Sequence, residues 1–129
     1  LDGLIAMTDL LRRVAAETGG ERPAMVAFSL RAKPQDLAAL APLIIAGAEA
    51  GDAEGLRLMQ FGADYLRCAL AVLGHDPSQP LCLLGGVGRH YAPYLPEFRS
   101  QPPQLPAVFG ALILAARAAG VEVEVKSWT

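Results

Sequence analysis

The sequence predicts an α/β fold that is mostly helical by content, and three observations carry that reading. Leu81-Cys82-Leu83-Leu84 is a run of four apolar residues broken by Gly85-Gly86-Val87-Gly88, the pattern of a short buried strand entering a glycine turn. Leu56, Met59, Ala63, Leu66, Leu70 and Leu73 recur at steps of three and four, a single apolar stripe on a long helix. Val121, Val123 and Val125 alternate with Glu122, Glu124 and Lys126, which reads as a short, half-exposed strand.

The elements follow in order from their punctuation. Thr8 predicts an N-cap, with Asp9 in the first turn, for a helix carrying Leu10, Leu11, Val14 and Ala15 that Gly19-Gly20 ends. Ala24–Phe28 is apolar and short, and reads equally as a strand or a helical turn. Pro34 opens a short helix through Leu40, and Pro42 either kinks it or opens a second helix running to Ala50. Gly51-Asp52 is the C-cap of one helix followed by the N-cap of the next, which Gly74 terminates. His75-Asp76-Pro77-Ser78 is a turn. Pro93 and Pro96 restrict the aromatic segment Tyr91, Tyr94, Phe98 to short helical turns, and Pro106 opens a last helix closed by Gly120.

Composition narrows the function classes. A chain of 129 residues fits one domain, 1–129, able to bury roughly two-thirds of its unfolded surface. With 53% hydrophobic residues it is globular and not disordered. A net charge of −2 gives no reason to expect nucleic acid, which selects a basic surplus. No apolar run is long enough to span a membrane, and no signal sequence opens the chain, so a cytoplasmic protein is expected. Cys68 and Cys82 have no metal-ligand spacing and read as reduced, buried thiols.

Single residues offer little chemistry of their own. Asp52 has no second carboxylate, His or Ser partner and reads as a cap. His75 reads as a solvated turn residue, and His90 as a loop histidine placed just past the glycine turn. Met25, Met59, Tyr91 and Tyr94 fit packing, and Trp128 lies at the tail. On turn chemistry alone, Gly85–Gly88 is a strand-to-helix turn without a ligand.

The order of motifs carries more. Ala38-Ala39-Leu40-Ala41-Pro42-Leu43-Ile44, then Ala48-Glu49-Ala50-Gly51-Asp52, then Gly85-Gly86, then Pro106-Ala107-Val108-Phe109-Gly110-Ala111-Leu112 resembles the C-terminal part of the BadF/BadG/BcrA/BcrD-type ATPases. Within that family the chain is most similar to the N-acetylglucosamine and glucosamine kinases. The resemblance implies part of an actin-like, ribonuclease H-like ATPase lobe. It implies ATP as cofactor, with Gly85, Gly86, Val87 and Gly88 lining the adenosine pocket. Magnesium is implied for the intact enzyme, with no ligand residue in this chain. An amino sugar is the implied acceptor, and its catalytic carboxylate would lie upstream. The chain opens in mid-pattern at Leu1 and so reads as a C-terminal lobe fragment, inactive by itself. A homodimer stands beside nucleotide and amino sugar among the expected partners, and two alternative readings remain open: a non-catalytic oligomerisation or interaction module, and an ATPase activator of a dehydratase.

Overall fold

A hydroxyl and a carboxylate set the first contacts of the chain. In the computed structural model, which describes residues 6–122, helix α1 (Asp9–Glu17) begins where Thr8 Oγ1 accepts from the Leu11 amide at 3.3 Å. Thr18 follows it and is buried, which its hydroxyl tolerates by donating to Val14 O at 2.9 Å. Helix α2 (Arg22–Arg31) covers the ambiguous Ala24–Phe28 segment, so that segment is helical. Helix α3 (Pro34–Ala38) and helix α4 (Ala41–Glu49) each carry proline in the first turn, where no intrahelical N–H is lost. Helix α5 (Ala53–Val72) is the long helix that the apolar stripe predicts.

The core is the α4–α5 pair with α1 packed on both. Gly51 takes a left-handed φ of +81°, and the chain reverses there within two residues. Asp52 then does more than cap the next helix. Its Oδ1 accepts from the Glu54 and Gly55 amides at 3.0 and 3.2 Å, and its Oδ2 accepts from the Leu10 amide of α1 at 3.1 Å. One carboxylate therefore satisfies orphan donors at two helix N-termini, where the aligned peptide dipoles also favour negative charge. Burial raises the Asp52 pKa, and the bonds from Leu10, Thr8, Gly55 and Glu54 outweigh that, holding it below the ordinary aspartate value.

Small residues let the helices approach closely. A Cβ on Gly55 would lie 2.5 Å from the Ala48 backbone nitrogen, and one on Gly47 would lie 3.0 Å from Leu10 Cδ2. Around these contacts Leu10, Ala15, Ala48, Met59 and Ala63 are buried. The stripe holds at its centre, with Ala63 fully buried, and fails at its ends, where Leu56 and Leu73 are 42% and 80% exposed.

The α/β expectation is overturned. Among the described residues no strand or sheet forms, and the run Leu81–Leu84 is not a buried strand. Its pairing is a single parallel bridge to Ser100, made by Leu81 N to Arg99 O and Gln101 N to Leu81 O, both 2.9 Å. Leu84 is extended but 57% exposed. A strand needs neighbours for its amides, and among the described residues nothing else offers an edge. Of the second expected strand, Val121 is coil whose amide donates back to Ala116 O at 2.9 Å, and Val123 and Val125 lie outside the described residues, as does Trp128. Cys68 and Cys82 are exposed, against the expectation of burial. His75 is half-buried with its ring centroid 5.8 Å from that of Phe98, so it is a packing residue and not a solvated one.

Two consequences can be measured. Gly55→Ala gains about 0.5–1 kcal/mol of helix propensity but drives a methyl into backbone, a clash of about 1–3 kcal/mol. The urea midpoint should fall, whereas Gly110→Ala in α7 (Ala107–Ala118), with nothing within 4 Å, should raise it through a stability gain of about 0.5–1 kcal/mol. Equal responses would contradict the close α4–α5 contact. For Asp52 the lowered folded-state pKa means stability is full above the ordinary value of about 3.9 and is lost as pH falls through the folded value. Asp52→Ala should be less stable at neutral pH and lose less over that acid range in urea titrations.

Candidate functional site

The glycine turn sits at the head of a helical hook. Leu84 is extended (φ −104°, ψ 161°), Gly85 takes φ +86°, and a one-turn helix α6 (Gly85–Gly88) runs directly into a 3-10 helix (Arg89–Tyr94). The positive φ makes glycine the fitting residue at 85. Gly86 is different. Its φ is not left-handed, and a Cβ there would meet nothing within 4 Å, so the backbone at 86 faces open space. Gly88 packs close, its absent Cβ 3.1 Å from the Leu83 carbonyl carbon. Val87 is 37% exposed.

Three contacts fix the hook to the core. Tyr91 lies over Gly62 of α5, where a Cβ would come within 2.2 Å of the phenol oxygen. Arg67 of α5 donates to Tyr94 O at 2.6 Å, pairs with Asp64 at 2.7 Å, and forks onto both Glu97 carboxylate oxygens. The Glu97 hydrogen bond raises the Arg67 pKa, and Arg67 in turn lowers that of Glu97. Beside these, Leu95 at the end of the hook is almost fully buried. The third contact joins the hook to α4: His90 Nδ1 lies 3.1 Å from Glu49 Oε1, and Arg89 Nε donates to His90 Nε2 at 3.2 Å.

Between α4, α5 and the hook lies a cavity of about 200 Å³ floored by Ile45, Ala48 and Met59, with Glu49, Arg89 and His90 at its polar side. Gly86 precedes His90 by four residues, across the junction of α6 with the 3-10 helix; the hook lines the cavity with Arg89, His90, Pro93 and Tyr94 and not with Gly85–Gly88. Among the described residues no cluster of three or more His, Cys, Asp or Glu side chains is arranged to hold a metal ion, and no helix is long and apolar enough to cross a membrane.

No family model matches the chain, and no solved structure does. It is similar to a glucosamine kinase. Over 119 residues it is 28% identical to the glucosamine kinase GspK of Vibrio cholerae serotype O1, a match that covers 90% of this chain and 40% of that protein. The relationship is therefore sugar-kinase-like, and the chain spans about 40% of the length of this curated relative.

The glycine turn and Asp52 were visible in the sequence, whereas Glu49, Gly62, Arg67 and Arg89 were not. Gly62 carried a readable signal: glycine inside a long helix costs about 1 kcal/mol against alanine, so Gly55 and Gly62 together mark close approaches. Glu49 and Arg67 act across 41 and 30 residues, a separation no local pattern reports. Arg67→Ala should speed amide exchange over residues 94–98 while α5 stays protected. Unchanged exchange there would show that the clamp does not hold the hook.

Proposed function

We propose that the chain is the adenosine-side portion of an ATP-dependent amino-sugar kinase of the BadF/BadG/BcrA/BcrD type. The observation that carries this reading is the pairing of a match to a glucosamine kinase with a glycine turn whose backbone at Gly86 is bare. A nucleoside needs a surface it can approach without a Cβ in the way, and Gly86 offers one at the head of the hook whose Arg89, His90, Pro93 and Tyr94 line a partly apolar cavity. The residues present therefore fit a nucleoside. Gly85, Gly86, Val87 and Gly88 would hold it, Gly85 by setting the turn and Gly86 by its open backbone. ATP would supply the phosphoryl group, whose transfer depends chiefly on positioning and charge stabilisation. This chain's part is to bind and orient the nucleoside end. The groups that activate the sugar hydroxyl and hold magnesium belong, on this reading, to the remainder of a longer protein.

The apolar surfaces support the same reading. Val108, Leu112 and Leu114 of α7 are 60%, 58% and 67% exposed, more than a helix of this composition leaves uncovered in a self-sufficient domain. A second reading draws on α5, where Phe61, Tyr65, Cys68 and Val72 form an exposed stripe at steps of four, three and four. That spacing suits a helix seam and favours an interaction module. Concentration-dependent dimerisation by sedimentation, without nucleotide binding, would select it.

Calorimetric titration with ATP tests the kinase reading. Gly86→Leu should fold normally, because its backbone is unstrained and the site is open, and should bind ATP at least about tenfold more weakly, a change of ~1.4 kcal/mol. The purified chain should bind without phosphorylating glucosamine or N-acetylglucosamine. Unaltered ATP affinity in a normally folded Gly86→Leu would reject the adenosine assignment, and turnover of either sugar would reject the fragment reading.

A further inference from the structure

We infer that Glu49 and His90 form a positioning pair that sets the orientation of the Gly85–Gly88 turn on the α4–α5 core; only its consequence for nucleotide affinity rests on the nucleoside reading. The imidazole is engaged at both nitrogens. Arg89 Nε donates to Nε2 at 3.2 Å, so Nε2 accepts and the ring proton sits on Nδ1, aimed at Glu49 Oε1 3.1 Å away. That arrangement selects one tautomer and one ring orientation.

Its place in the hook gives the pair a task the other anchors do not perform. Tyr91 on Gly62, and Arg67 on Tyr94 and Glu97, both tie the hook to α5 and act further down the chain. Glu49 stands in the last turn of α4, and its partner is one helical turn after Gly86. Upstream, the Leu81–Ser100 bridge holds the turn, and on its exit side His90 carries the first side-chain hydrogen bond to the core. A rotation at His90 is passed along rigid helical backbone to the open face of Gly86. An exposed hydrogen bond of this kind contributes little to global stability. Its effect belongs in the geometry of the turn.

Amide exchange and nitrogen NMR of the full chain test this. Glu49→Ala should speed exchange over residues 85–90 by roughly fivefold or more, the scale of a local opening, and should shift the His90 ring nitrogens away from the Nδ1–H signature. Glu49→Gln keeps a carbonyl acceptor for that proton and should restore both. Thermal midpoint and exchange in α5 should stay at wild-type values. Unchanged exchange at 85–90 in Glu49→Ala, failure of Glu49→Gln to restore it, or equal loosening of α5 would each overturn the pair as a positioning device. With ATP as the probe, Glu49→Ala should weaken binding by about three- to tenfold with Glu49→Gln near wild type. Unaltered affinity alongside faster exchange would overturn the functional consequence. If wild type binds no ATP, the nucleoside reading falls and the exchange result still judges the pair.

Discussion

The Asp52 carboxylate is the interaction on which the remaining structure depends. It closes the turn after Gly51, opens α5 through Glu54 and Gly55, and reaches across to the first turn of α1 at Leu10. Each helix N-terminus presents amides with no intrahelical partner, and here two termini share one acceptor. Removing that carboxylate takes the acceptor from both sets of donors at once, and protonating it weakens those bonds. The three-helix core has no comparable polar joint elsewhere among the described residues. Its apolar part is small: Leu10, Ala48, Met59 and Ala63 are its buried centre.

Close approach, more than bulk, then fixes the geometry outward to the site. Gly55 lets α5 touch the α4 backbone, and two turns on, Gly62 lets Tyr91 lie against the same helix. The two glycines are seven residues apart, about two turns along the same face of the helix. From Tyr91 the hook runs back three to six residues to the glycine turn, so the place of Gly86 is set by a chain of contacts beginning at Asp52. That is why a turn with few contacts of its own can still have a defined position. Local rigidity is borrowed from the helices behind it.

Much of the helical order was legible, and the reason is that caps and breakers are local. Thr8, Pro34, Asp52, Gly74 and Pro106 each mark a boundary within a residue or two of where it falls. The misread element, Leu81–Leu84, is apolar enough for a buried strand, yet burial requires neighbours that composition does not report. With one bridge to Ser100 it remains extended coil. Cys68 went wrong for a related reason. Its helix has apolar residues on two faces, Met59 and Ala63 inward and Phe61 and Tyr65 outward, and periodicity marked a stripe without saying which other side chains meet solvent. The glycine turn was legible as a turn. The partners that orient it, Glu49 and Arg67, are distant in sequence and were not.

The central proposal is that a nucleoside rests on the bare backbone at Gly86, at the head of the hook whose later residues line the cavity against α4 and α5. Titrating the nitrogen-labelled chain with adenosine and following amide resonances tests this most directly, because it reads location and not affinity alone. Saturable shifts should concentrate at residues 85–90 and at cavity residues such as Met59 and Tyr94, with α2 and α7 unmoved. Shifts absent from 85–90, or centred on the exposed apolar faces of α2 and α7, would contradict it.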